Sequence, residues 1–171
     1  VSGSPGKFLF RGIRSRQKLS GAGLFNDSTA TGYLVYIHYS DIGSTGAADN
    51  QSSDVAMKFL GGSDHRVLRT YISYEATGIQ PNTPCVEITE NYIDKIIFYY
   101  GENGPCGTGG SCTYHLNGIS SEGMSNVTPT RFKILRNHIT VPSPDEGGHI
   151  TTQTDCIALF GSNGGSYNDV L

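Results

Sequence analysis

The 171-residue sequence has no tryptophan, few charged residues and no long apolar stretch. Only 16% of its residues are charged and the net charge is −3. Proteins that bind nucleic acids generally carry a strong excess of Lys and Arg, so we predict no nucleic-acid partner. No run approaches the ~20 apolar residues that span a bilayer, so we predict no membrane span. The 10 Tyr and 7 Phe residues argue against disorder.

The sequence also lacks the common motifs of enzymes and metal sites. It contains no G-x-S-x-G elbow and no P-loop, and its Gly-rich stretches do not follow a strand and open a helix. The five histidines, at positions 38, 65, 115, 138 and 149, have no metal-binding spacing. We therefore predict no metal, no cofactor and no catalytic activity. A small secreted glycan hydrolase stays open as an alternative, because acids such as Glu87 and Asp94 could form a catalytic pair.

Glycine, with 23 residues, is the strongest compositional signal and is typical of short strands joined by tight turns. Apolar residues nowhere repeat at helical spacing over 11 or more positions without an interrupting Gly or Pro. Strand-like runs occur instead, and we predict an all-β single domain over residues 1–171 with no internal repeat. The predicted strands are residues 7–11, 33–39, 55–60, 67–74, 85–89, 93–100, 112–116, 131–135, 138–141 and 156–160, with 93–100 and 112–116 forming a hairpin.

Cysteine count and glycosylation sequons favour a secreted protein. Four cysteines suit two disulfide bonds, for which three pairings are possible. Three Asn-x-Ser/Thr sequons begin at Asn26, Asn50 and Asn126. The first residue is Val1, as expected for a mature chain whose leader has been removed. We therefore predict an extracellular location.

Four cations lie within eight residues near the N-terminus, in a chain that is acidic overall. They are Arg11, Arg14, Arg16 and Lys18. A solvated strand end explains such a cluster, and a patch for sulfated sugars or phosphate headgroups is the functional interpretation. Binding at such a patch would be sensitive to salt.

The segment of residues 156–169, CIALFGSNGGSYND, places an apolar strand before a Gly-rich loop and an Asp. Glycines allow the backbone to approach a ligand closely. Amides of Ser166 and Tyr167 beside the Asp169 carboxylate would suit two adjacent sugar hydroxyls, each of which donates and accepts. The pattern therefore predicts a shallow sugar-binding cradle.

This segment resembles the final G-x-x-x-D sugar loop of jacalin-related lectins, with Gly165, Ser166, Tyr167, Asn168 and Asp169 in register. Residues 2–10 are similar to the Gly-rich opening before that family's first strand, and residues 90–104 resemble its mid-domain strand and hairpin. The resemblance implies a β-prism I fold, with three four-stranded antiparallel sheets in Greek-key order. It also implies that the first and last loops lie side by side.

The resemblance further implies residue roles. Gly6 would offer an amide from the first loop, and Tyr92 would flank the site formed by residues 165–169. It suggests a Cys85–Cys156 disulfide bond, which leaves Cys106 and Cys112 to close a local loop. The expected function is reversible binding of mono- or oligosaccharides and glycoconjugates by a secreted lectin, which we expect to be a homodimer for avidity. A secreted structural or matrix protein on the same scaffold is the other alternative.

Overall fold

The computed structural model describes residues 6–17, 22–26, 33–44, 53–73, 75–94, 116–121, 130–140, 154–159 and 168–170. Every helix or strand assigned within these ranges is a β-strand, so the all-β prediction is confirmed there. The strands are β1 (Gly6–Arg11), β2 (Arg14–Gln17), β3 (Ala22–Asn26), β4 (Tyr33–His38), β5 (Asp41–Ser44), β6 (Ser53–Phe59), β7 (His65–Leu68), β8 (Tyr71–Ser73), β9 (Glu75–Pro81), β10 (Val86–Thr89), β11 (Tyr92–Asp94), β12 (Leu116–Ser121), β13 (Thr130–Leu135), β14 (His138–Ile139), β15 (Thr154–Leu159) and β16 (Asn168–Val170).

All the strand pairs are parallel, and each strand pairs with the strand three places along the chain. The first sheet has the order β1-β4-β7-β10-β13-β16, the second β14-β11-β8-β5-β2 and the third β15-β12-β9-β6-β3. The chain thus visits three sides in turn and then repeats, which is a parallel β-helix built of three-strand rungs. The prediction of an antiparallel Greek-key β-prism is wrong, because strands that return to the same side after a full turn run in the same direction.

The core is built from rows of apolar side chains, one from each rung. In the first sheet the fully buried Ile37, Val67 and Ile88 lie in register on successive strands. Second-sheet Ile42, Ile72 and Ile93 form an equivalent row, and third-sheet Met57, Ile79 and Ile119 form another. β-branched residues dominate because they pack well on a pleated surface.

The corner between the first and second sheets uses the same backbone conformation in every rung. Its residues have positive φ, between 49° and 66°, and are Gly12, Tyr39, Arg69, Glu90 and Arg136. The amide of each of the first four donates to a carbonyl of the next rung, as from Tyr39 to Leu68 at 3.2 Å and from Arg69 to Thr89 at 3.1 Å. These hydrogen bonds offset the cost of about 1–2 kcal/mol that the left-handed conformation imposes on a residue with a side chain.

Several predicted strands match the structure, although not their pairing. The predicted run 67–74 is divided by the corner at Arg69 into the end of β7 and the whole of β8. The predicted hairpin of 93–100 with 112–116 lies mostly outside the described residues. Its described ends, β11 and the start of β12, belong to two different sheets. No helix capable of crossing a membrane occurs in the described part of the chain.

Candidate functional site

Gly6 and Asp169, which the resemblance places in one sugar cradle, lie in different strands of the first sheet. Gly6 begins β1 and pairs with Tyr33, whereas Asn168 and Asp169 lie in β16. β1 and β16 are the opposite edges of the six-stranded first sheet. Five strand spacings of ~4.8 Å separate them by about 24 Å. Gly165, Ser166 and Tyr167 lie outside the described residues.

Tyr92, the remaining predicted site residue, lies in the middle of an exposed row on the second sheet. Tyr71, Tyr92 and His138 occupy matching positions on β8, β11 and β14. Their rings are stacked, with centroids 5.8 Å apart for Tyr71–Tyr92 and 4.6 Å apart for Tyr92–His138. Tyr92 is 44% exposed. Because stacked rings cover one another's faces, the row presents mainly ring edges and polar atoms to solvent.

The row is continued by charged residues at the β2 and β5 positions, where Arg14 pairs in register with Asp41 and Asp41 with Tyr71. Arg14 Nε lies 3.3 Å from Asp41 Oδ2, and Arg16 Nη2 contacts Asp41 Oδ1. The guanidinium of Arg16 also lies over the Tyr71 ring, 5.4 Å from its centroid. Five rungs at ~4.8 Å give the row a length of about 19 Å.

A second outward row runs beside the first and joins it by hydrogen bonds. Asp94 accepts from the Tyr71 hydroxyl at 3.3 Å and from the Thr140 hydroxyl. Arg16 Nη1 donates to Ser73 Oγ at 2.8 Å. We call the two rows together the tyrosine face, defined by Arg14, Arg16, Asp41, Tyr71, Ser73, Tyr92, Asp94, His138 and Thr140.

Gly43 leaves room for the hydrogen bond between Arg16 and Ser73, because its position in the second row lies between those two residues. Its φ is +151°, and a Cβ there would lie 2.0 Å from the Ser73 carbonyl oxygen and 2.9 Å from Arg16 Nη1. A residue with any side chain would therefore displace both the neighbouring strand and the guanidinium.

The predicted N-terminal cation cluster is divided between two sides of the solenoid. Arg14 and Arg16 belong to the tyrosine face, where both are paired with Asp41. Arg11 precedes the corner and lies on the first sheet, where its guanidinium is 5.2 Å from the Tyr39 ring centroid. Lys18 lies outside the described residues.

The two acids named for a hydrolase, Glu87 and Asp94, lie on different sheets. Glu87 lies in β10 on the first sheet, where it pairs with Lys133 at 2.8 Å, and Asp94 lies in β11 on the second sheet. In the described ranges no group of three or more His, Cys, Asp or Glu residues could hold a metal ion.

No disulfide bond joins the two cysteines that the structure describes. Cys85 is half-buried, has a φ of 57° and precedes β10 of the first sheet, whereas Cys156 is exposed in β15 of the third sheet. The predicted Cys85–Cys156 pairing is therefore not formed. Cys106 and Cys112 lie outside the described residues.

Sequence reasoning missed Tyr71, His138 and the corner residues, although a signal for them exists. Four of the five second-sheet strands share a pattern that starts at the residue before the strand: SDIG (40–43), TYIS (70–73), NYID (91–94) and NHIT (137–140), whereas β2 does not follow it. In each, a small polar or Asn residue follows the corner, an outward residue comes next, and an Ile points into the core. Aligning these four segments would have placed Tyr71, Tyr92 and His138 in one column.

Comparisons with known proteins give this chain no relative. No protein-family model, no curated protein and no solved structure matches it.

Proposed function

We propose that this protein binds a glycan along the tyrosine face of its second sheet. The observation that carries the proposal is the straight row of Arg14, Asp41, Tyr71, Tyr92 and His138, which offers one outward side chain per rung. An extended polysaccharide likewise presents its sugar units at regular intervals along a line. A linear polymer lying along the solenoid axis would therefore meet a new side chain at each rung.

The chemistry of the face suits neutral sugar hydroxyls, each of which donates and accepts hydrogen bonds. Guanidinium and hydroxyl groups supply donors, and the Asp94 carboxylate supplies acceptors. The Tyr92 hydroxyl has no hydrogen-bond partner among the described residues, and the residue is 44% exposed. We therefore expect Tyr92 to lie at the centre of the contact with the glycan. The extracellular location predicted from the cysteines and sequons is compatible with this function and stays a prediction.

The test is a glycan array with the wild type and Tyr92→Ala side by side. Loss of one aromatic contact of about 1 kcal/mol predicts a roughly fivefold weaker affinity for each neutral hit. Ile157→Ala is the matched control, because Ile157 is 46% exposed on the third sheet, away from the tyrosine face.

Asp169→Ala belongs in the same experiment, because it separates this face from the C-terminal loop predicted from the sequence. Hits lost with Asp169→Ala and kept with Tyr92→Ala would move the site to that loop. An array without any neutral hit for the wild type would contradict the function. Release of sugar products from a hit would instead support the hydrolase alternative.

A further inference from the structure

A second cluster of exposed functional groups lies on the outer face of the first sheet and at its corner with the second sheet, around two tyrosine rings. Lys7 Nζ and the Arg66 guanidinium lie 5.7 Å and 4.9 Å from the Tyr36 centroid. The guanidiniums of Arg11 and Arg69 lie 5.2 Å and 5.5 Å from the Tyr39 centroid. Three rungs supply these residues, which the register brings together although they are up to 62 positions apart in sequence. We call Lys7, Arg11, Arg66 and Arg69 the basic cluster.

Carboxylates neutralise this face only in part. Glu87 is shared by Arg66 at 3.4 Å and Lys133 at 2.8 Å. Glu90 is shared by Arg69 at 2.6 Å and Arg136 at 2.5 Å. Lys7 and Arg11 contact no carboxylate within the ranges that the structure describes.

The six cations and two carboxylates just named carry a formal charge of +4 together, in a chain whose net charge is −3. The described part of this surface is therefore basic although the chain is acidic overall. A local excess of positive charge attracts anions even when the net charge is negative.

His38 lies among the same cations. Burial lowers the pKa of His38, and the charges of Arg11, Arg66 and Arg69 lower it further, while Glu87 acts in the opposite direction. The His38 ring is stacked on Tyr36, with centroids 5.9 Å apart. An anion placed among these guanidiniums would relieve repulsion that the unliganded protein retains.

We propose that the basic cluster binds the sulfate or carboxylate groups of an acidic polysaccharide. The choice of a polysaccharide rests on the proposed function, whereas the anion site itself rests on the charges of the first sheet. Proteins that bind single-stranded nucleic acids stack bases on open aromatic faces. Here cationic groups already lie over Tyr36 and Tyr39, so those rings are poorly placed to stack with bases.

Binding of dextran sulfate and of uncharged dextran of equal chain length tests the proposal. We expect dextran sulfate to bind at least about tenfold more tightly at low salt, with an affinity that falls as salt is raised. Lys7→Gln/Arg11→Gln removes the two cations without a described carboxylate contact. It should weaken dextran sulfate binding about tenfold and reduce the salt dependence by roughly two ions.

Lys58→Glu is the control, because it changes the net charge by the same two units on β6 of the third sheet. Equal losses from Lys58→Glu and the double variant would show that only net charge matters and would overturn the site. Equal affinities for dextran sulfate and dextran would overturn it too.

An oligothymidylate serves as a third probe, and affinity for it equal to that for dextran sulfate would overturn the polysaccharide assignment. Thermal unfolding of each variant shows whether it is folded, and Arg11→Gln alone replaces the double variant if that one is not. Failure of the proposed function is seen separately, as an array without neutral hits or with hits that Tyr92→Ala leaves unchanged.

Discussion

Replacing Asn91 with Ala should destabilise the solenoid at the corner between the first and second sheets. Asn91 is 2% exposed, and its side chain joins three rungs. Its carbonyl oxygen accepts from the Thr70 amide at 2.9 Å, and its amide nitrogen donates to the Val67 carbonyl at 2.9 Å and to Asn137 Oδ1 at 2.9 Å.

The expected loss follows from the groups left behind. Thr70 and Val67 are both fully buried, so neither backbone group gains water in exchange for the lost side chain. Each unsatisfied buried group costs about 1–3 kcal/mol, and two of them predict a loss of about 3 kcal/mol. Typical stabilities are only about 5–15 kcal/mol, so a loss of this size shifts the unfolding midpoint clearly.

Ser40→Ala provides the comparison, because Ser40 holds the equivalent corner position two rungs earlier. Within the described residues its hydroxyl makes one hydrogen bond, to the His38 carbonyl at 3.0 Å, so its loss should cost about 1 kcal/mol. Urea unfolding followed by circular dichroism gives both free energies of unfolding. Equal losses for the two variants, or less than about 1 kcal/mol for Asn91→Ala, would refute the argument that the Asn91 side chain holds three rungs together.

Two further predictions concern a glycine and a buried histidine. Gly43→Ala should lower the free energy of unfolding by about 3 kcal/mol or more, because its Cβ would lie 2.0 Å from the Ser73 carbonyl oxygen. Gly12→Ala is the control: Gly12 has a φ of +66° but open space around it, so the loss should be only about 1–2 kcal/mol. Similar melting temperatures for the two variants would contradict this prediction. Burial lowers the pKa of His65, although its hydrogen bond to the Gly61 carbonyl and the charge of Asp64 act in the opposite direction. Its Nδ1 accepts from the Val35 amide at 3.0 Å, so Nε2 carries the proton and the folded state favours the neutral ring. The free energy of unfolding should therefore be fully retained above the unfolded pKa of about 6.5 and fall below it by up to ~1.4 kcal/mol per pH unit. His65→Gln should remove that dependence between pH 5 and 7 in urea unfolding, and an unchanged slope would contradict the assignment.

The strands of this fold were predictable, whereas their pairing was not. Runs such as those in β1 and β4 are rich in aromatic and β-branched residues, and that preference reflects a pleated, half-buried surface. It carries no information about the direction of the partner strand. The direction is encoded by the repeat, and the repeat is concealed by connections of different length. Register partners are 21 residues apart between His65 and Val86 but 46 apart between Val86 and Phe132.

Of the three stacked rings on the second sheet, only Tyr92 is predicted as a site residue from the sequence. The lectin resemblance of residues 90–104 predicts a role for Tyr92, and the structure places Tyr92 beside Tyr71 and His138, which come from strands 21 residues before it and 46 after it. Residues so distant meet only because parallel strands keep the same register from rung to rung. The short segments TYIS (70–73), NYID (91–94) and NHIT (137–140) contain that register, since an inward Ile fixes which neighbour faces out.

The same geometry explains why the two proposed surfaces are separate although their residues alternate along the chain. Each rung passes the first sheet, turns at a left-handed corner and continues on the second, so Arg11 and Arg14 lie on different sides despite being three residues apart. Residues that are neighbours in sequence can therefore lie on different sides of the solenoid, and residues that are neighbours on one side come from several rungs. Acidic partners are expected on the first sheet and neutral sugar hydroxyls on the second. A single polysaccharide carrying both kinds of group would have to cross the corner formed by Tyr39, Arg69, Glu90 and Arg136. If one chain contacts both sides, substitutions on either side should weaken its binding, whereas a chain held by one side should respond only to substitutions there.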